Sequence, residues 1–206
     1  MNPSRIPLFP LDVVLFPGMA MPLHIFEPRY KIMIARCMDE HLDFGVLLQR
    51  DEGIVKVGCT AEIAQKLKDY PDGRMDIMTE GRLVFRLAEF LDEKEYYEGL
   101  VEFLPEDFAR SDPRQEERLM KLFQQVHTLL AGEPWSPADS DPDIPLTYRM
   151  AARLPMEHPQ KQELLELRAE NARRDLLLRW LTSFLPQLEH RIRVRHRATG
   201  NGHGLN

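Results

Sequence analysis

The amino-acid sequence predicts an α+β protein in which a β-rich lobe with one helix is followed by a helical-bundle lobe. Three observations carry this. Short apolar runs fill the first half, and in Arg82 to Leu87 the residues Leu83, Phe85 and Leu87 alternate with others, the period of a strand with one buried face. Turn formers such as Pro17-Gly18 and Tyr70-Pro71-Asp72-Gly73 separate the runs. From Asp112 onward Leu119, Leu122, Phe123, Val126, Leu129 and Leu130 repeat at helical spacing. The 206 residues are divided accordingly into a β-rich lobe (1–107), a helical lobe (108–190) and a basic flexible tail (191–206).

Element by element, Ile6 to Leu11 is apolar but broken by Pro7 and Pro10, which suits an edge strand. Val13 to Phe16 and Ala20 to Phe26 are further runs on either side of the Pro17-Gly18 turn. Pro28 stands where a helix begins, since its missing N–H costs nothing there, and Tyr30, Met33, Ile34 and Cys37 share one face of that helix. Strands are expected at Phe44–Gln49, Val57–Leu67, Met75–Thr79, Arg82–Leu91 and Tyr96–Leu104, the third and fourth separated at Glu80-Gly81. A sheet folded into a barrel or sandwich follows from such short strands. Asp112 can cap a helix that Pro113 starts and Gly132 ends, with Gln115 placed for a capping box. Pro134, Pro137 and Pro142 make the next stretch a loop. Three helices follow, near Leu146–Leu154, His158–Arg168 and Ala172–Leu188, and Pro186 is expected to kink or end the last. Disorder is expected at residues 199–204.

The net charge of −6 is uneven: residues 1–107 hold 12 Lys+Arg against 20 Asp+Glu, and residues 108–206 hold 15 against 13. An acidic first half argues against a phosphate-binding surface there, and a charged edge strand explains the carboxylates of Glu89–Asp107. No apolar run reaches the roughly 20 residues that cross a bilayer. No secretory leader is recognisable at the N-terminus, which points to the cytoplasm. Cys37 and Cys59 are too few for a disulfide framework or a cysteine zinc site and sit in apolar patterns, so buried packing is expected. The histidines are scattered, and no metal site is expected. There is no G-x-x-x-x-G-K-[ST], G-x-S-x-G or G-x-G-x-x-G sequence. No catalytic residue and no cofactor are therefore assigned.

Residues 6–30 combine Pro7-Leu8-Phe9-Pro10-Leu11, Phe16-Pro17-Gly18 and Pro22-Leu23-His24-Ile25-Phe26-Glu27-Pro28-Arg29-Tyr30. Val57 to Ile63, Asp72-Gly73-Arg74, Glu80-Gly81-Arg82, Leu154-Pro155 and Lys161 to Glu166 follow in order. This succession resembles the substrate-binding domain at the front of Lon proteases, over roughly residues 5–190. At Arg82-Leu83-Val84-Phe85 the family usually has Arg before the aromatic residue, where Val84 stands here. The resemblance implies a PUA-like pseudo-barrel in the β lobe and recognition without turnover, because the ATPase and Ser–Lys protease parts are not represented. The partners it implies are unfolded or peptide segments of proteins, with a protease or chaperone as a further class; a membrane or nucleic acid is not implied. Pro17, Gly18, Glu27, Arg29 and Tyr30 are expected to shape the fold. Phe16, Met19, Met21 and Met33 are expected to form an adaptable apolar peptide site, since Met repacks readily around different side chains. Two alternatives stand beside this: an enzyme of unrecognised type using the inter-lobe cleft, and nucleic-acid binding through Arg191–Arg197.

Overall fold

Closure of the sheet begins with β1 (Ser4–Leu11), whose two halves pair differently in the computed structural model, which describes residues 3–107, 112–136 and 143–200. Ser4–Pro7 run antiparallel to β7 (Glu98–Phe103), and Leu8–Leu11 run parallel to β3 (Phe44–Arg50). β3 pairs β5 (Val57–Asp69), β5 pairs β6 (Met75–Leu91), and β6 pairs β7. The path thus returns to β1 as a pseudo-barrel. β2 (Ala20–Ile25) lies along the first part of β6, and the two-residue β4 (Gly53–Ile54) along the end of β3. Neither β1 nor β7 is the edge strand expected from its prolines or charges. Each half of β1 is paired on one side only, so Pro7 and Pro10 can turn their missing donors away from the ladder.

β6 is one strand of 17 residues, where a break at Glu80-Gly81 was expected. Gly81 does not turn the chain; it admits the backbone of the preceding loop. Its carbonyl accepts from Gly18 N–H at 2.7 Å, and its own N–H donates to Met19 O at 3.0 Å. Residues 13–16, expected as a strand, form no ladder. Val14, Leu15 and Phe16 are nevertheless buried in succession, Leu15 in the barrel core and its two neighbours in the core shared with the helices.

The single helix of the first lobe, α1 (Pro28–Glu40), buries Tyr30, Met33, Ile34 and Cys37, as its apolar spacing requires. α2 (Pro113–Ala131) starts where Asp112 accepts from the Arg114 N–H and stops at Gly132, whose φ of 82° is a left-handed cap. α3 (Leu146–Ala151) and α4 (His158–Glu166) lead into α5 (Glu170–Gly200). α5 continues past Pro186, correcting the expected end of the helix there. A proline inside a helix removes one donor and crowds one carbonyl; here the ring sits on an exposed face. Residues 191–200, assigned to a flexible tail, continue this helix, and 201–206 lie outside the described residues, as does the lobe boundary at 108.

The lobes are not separate packing units. Val14, Phe16, Leu48, Val57 and Val84 of the first share one apolar cluster with Phe123, Trp135, Tyr148, Leu164, Leu177 and Leu181 of the second. Phe16 stacks on Tyr148 with centroids 5.7 Å apart.

Candidate functional site

Phe16 and Met33 are fully buried, Met21 is 6% exposed, and Met19 is half-buried between the two main clusters. This corrects the expectation of an open apolar surface at Phe16–Met21. Pro17-Gly18 does turn the chain, Gly18 at φ 72°, but the loop folds inward because both faces of the segment are covered. The methionines fill the interior beneath a different surface.

That surface is the corner where β2 passes into α1. Ile25 and Tyr30 point inward, Tyr30 stacked on Phe9 at 4.0 Å. Phe26, between them in the chain, is left 58% exposed. On one side the His24 ring stacks on Phe26 at 6.0 Å and meets the edge of Tyr70 at 5.7 Å. Asp76 holds both rings, pairing with His24 Nδ1 and accepting from the Tyr70 hydroxyl at 2.8 Å. Those two hydrogen bonds, His24 first, keep the Asp76 carboxyl below its usual range. Lys68 and Arg74 lie 4.5 and 5.0 Å from the Tyr70 ring centre.

On the other side Arg29 lies 4.6 Å from the ring centre of Tyr30 and 5.2 Å from that of Tyr97, with Nε donating to Glu27 at 3.0 Å. Tyr97 in turn packs on the 39%-exposed Phe90 at 5.0 Å. Glu27 and Arg29 thus pair with each other, and Glu27 makes no side-chain cap to α1. The Arg29 guanidinium, held by Glu27 and the Tyr97 hydroxyl, thereby bridges the two tyrosine rings beside the exposed Phe26.

A second cluster sets the pose of α1. Glu98 has a side chain only 3% exposed. It accepts from Arg5 Nη2 at 2.6 Å, Arg36 Nη1 at 2.8 Å and Lys94 Nζ at 2.9 Å. The sequence marked Glu98 only as one of many carboxylates on a charged strand; nothing local separates it from Glu95 or Glu102. Burial alone would push its pKa up, but the hydrogen bonds from Lys94, Arg5 and Arg36 outweigh that and leave it lowered. A depressed folded value means that the stabilisation is complete above the unfolded carboxylate pKa and is lost as pH falls through the folded one. Glu98→Gln is therefore expected to flatten the acid limb of stability, read as urea midpoint against pH. An unaltered acid limb would show that the triple pairing contributes nothing.

Neither thiol belongs to a reactive constellation. Burial pushes the Cys37 thiol up to about 12 and Cys59 higher still, and both are free and buried. Among the described residues no group of three or more His, Cys, Asp or Glu is arranged to hold a metal ion, and no helix is long and apolar enough to cross a membrane.

Comparison with known proteins agrees with the fold. The sequence profile described as the ATP-dependent protease La (LON) substrate-binding domain matches residues 5–183. Lon protease of Escherichia coli K12 is 26% identical over 219 residues, covering 96% of this chain and 28% of that protein. Lon protease 2 of Syntrophobacter fumaroxidans is 26% identical over 209 residues, covering 95% and 26%. The chain thus spans little more than a quarter of these relatives. Among solved structures, a Lon N-terminal domain protein from Xanthomonas campestris superimposes with a TM-score of 0.67 at 24% identity, covering 86% of this chain and 98% of that one. The N-terminal domain of a Mycobacterium avium complex Lon protease gives 0.66 at 18% identity, covering 87% and 98%.

Proposed function

Because the chain belongs to the family of Lon substrate-binding domains, we propose that it binds exposed segments of unfolded proteins without catalysing a reaction on them. Its setting in this reading is protein quality control in the cytoplasm, with a protease or chaperone receiving what it binds. The observation that carries the reading is the exposed Phe26 ring, stacked on His24, which in turn meets Tyr70, with Arg29 and its Tyr97 contact on the first turn of the helix that follows. A binder of many sequences needs apolar contact with few fixed hydrogen bonds, and this corner offers that. Met21 and Met33 contribute from beneath, packing in the same cluster as Ile25 and Tyr30.

The test uses fluorescent, reduced and carboxymethylated lactalbumin titrated with the protein. Phe26→Asp is expected to weaken binding about tenfold, the loss of one well-placed aromatic anchor. Stability should change by no more than about 0.5 kcal/mol, since the ring is largely exposed. Wild-type affinity in a folded Phe26→Asp protein would place the binding surface elsewhere. The same protein is expected neither to hydrolyse ATP nor to cleave casein. ATP or casein turnover that follows the protein peak through size exclusion would contradict the non-catalytic reading.

A further inference from the structure

α2 and α5 border a row of open hollows on the side of the second lobe, which together make a groove-like face. Its walls are matched in spacing: Arg118, Leu122, Gln125 and Leu129 on α2 face Leu178, Thr182, Leu185 and Glu189 on α5. On each helix these residues follow the i, i+4, i+7, i+11 pattern that keeps side chains on one face. From Arg118 to Leu129 the hollows are spread along about 16 Å of α2, taking about 1.5 Å per helical residue.

The two ends differ in chemistry. One end, a hollow of about 560 Å³, is bordered by Arg118 and Arg179, with Arg114 one turn back. Among the described residues none of these three arginine side chains has a hydrogen bond or ion pair. Lys121 beside them is already paired with Glu117 at 2.7 Å, and Asp175 is the one carboxylate that lines the hollow. The other end, about 530 Å³, is walled by Leu129, Leu185 and Pro134, with Leu129 40% exposed. None of these residues belongs to the Phe26 corner.

We propose that this groove docks an amphipathic helix of a partner protein, with acidic residues over Arg118 and Arg179 and leucine-like side chains two to three turns along, against Leu129 and Leu185. The inference rests on the reading of the chain as a protein-binding module and adds a second site to it. Charge complementarity selects the acidic end: unpaired guanidinium groups are the residue type best suited to carboxylates. The spacing selects a helix, because a third helix presents anchors at the same i, i+4, i+7 intervals as the two walls. A polyanion fits less well, since Asp175 and Glu189 on the walls and the acidic first lobe would repel it.

The experiment measures fluorescence anisotropy of a labelled synthetic helix of about four turns, with two glutamates in its first turn and leucines at i, i+4 and i+7. Wild-type protein should bind it in a salt-sensitive way. The doubly reversed protein, Arg118→Glu with Arg179→Glu, should bind at least about tenfold more weakly and should regain binding to the same peptide carrying lysines in place of glutamates. Leu129→Asp should weaken both peptides, and Phe26→Asp neither. This separates the sites: failure at Phe26 with the peptide intact sinks only the corner reading. Loss of peptide binding in Phe26→Asp, or charge-reversed protein binding as wild type does, overturns the groove proposal. So does a wild-type dimer in sedimentation that the double reversal dissolves, because the occupant would then be a second copy.

Discussion

Arg173→Met is expected to cost about 3–5 kcal/mol of stability, the loss seen when one member of a buried ion cluster is removed. Arg173 is fully buried. Its Nη2 donates to Glu106 at 2.6 Å and Glu170 at 2.8 Å, and its Nε to the Thr147 hydroxyl at 2.9 Å. Nη1 reaches the Leu167 carbonyl at 2.7 Å and the Tyr148 hydroxyl at 3.1 Å, and the guanidinium carbon lies 4.1 Å from the Tyr148 ring centre. One side chain thereby joins the segment after β7, the start of α3, the end of α4 and the first turn of α5. Methionine fills much of the volume but takes a donor from the Leu167 carbonyl, leaves Glu170 with the Thr147 N–H and hydroxyl alone, and leaves Glu106 with Arg168 at 2.6 Å and the Tyr148 hydroxyl at 3.3 Å. Part-buried carboxylates that lose a charge partner keep the desolvation cost without the full compensation. Arg173→Lys should still lose about 2 kcal/mol, because three donors on a point charge cannot reproduce a planar fork. Urea unfolding of both variants checks this, and a loss under about 1 kcal/mol for Arg173→Met would mean the cluster is not a structural lock.

Gly81→Ala is expected to cost about 3 kcal/mol, at the upper end for inserting a single methyl into a packed interior. A Cβ at this position would overlap the carbonyl group of Phe16 and lie 3.1 Å from Leu15 Cγ. Neither neighbour is a free end. The Phe16 backbone belongs to the loop stapled to β6 by the two Gly81 hydrogen bonds, and that loop carries Phe16 into the shared core against Tyr148. The methyl can be accommodated only by lifting the loop, which breaks those bonds and opens the junction between lobes. The same reasoning makes Gly18 intolerant, since its left-handed φ of 72° comes with Ile144 pressed against it. Thermal and urea unfolding read the effect at Gly81. A variant within about 1 kcal/mol of wild type would show that the loop moves without penalty.

Both positions show where sequence reading reaches its limit. Glu80-Gly81 looks like a turn because glycine most often marks one; here it marks a close approach, and only the partner backbone distinguishes the two. Arg173 stands in a charged run, Arg173-Arg174-Asp175, that reads as solvated helix surface. Its burial depends on Glu106 and Tyr148, far away in the chain. The exposed Phe26 was legible as part of a motif but not as exposed, since the alternation that points Ile25 inward is set by the turn into α1. The cysteine packing and the cap at Asp112 were readable because each depends on neighbours within a few residues.

What the sequence determined by itself is the class of the fold, the order of a β-rich lobe with one helix before a helical lobe, and the family to which the chain belongs. These follow from apolar period, turn residues and motif order, all of them short-range properties of the chain. Tertiary structure alone decided that β1 closes a ring through two partners, that Phe16 and Met21 are interior, and that Glu98 and Arg173 are hubs. Those outcomes depend on which distant groups meet. Where distant groups decide burial and charge state, as at Glu98 and Arg173, no local pattern encodes them.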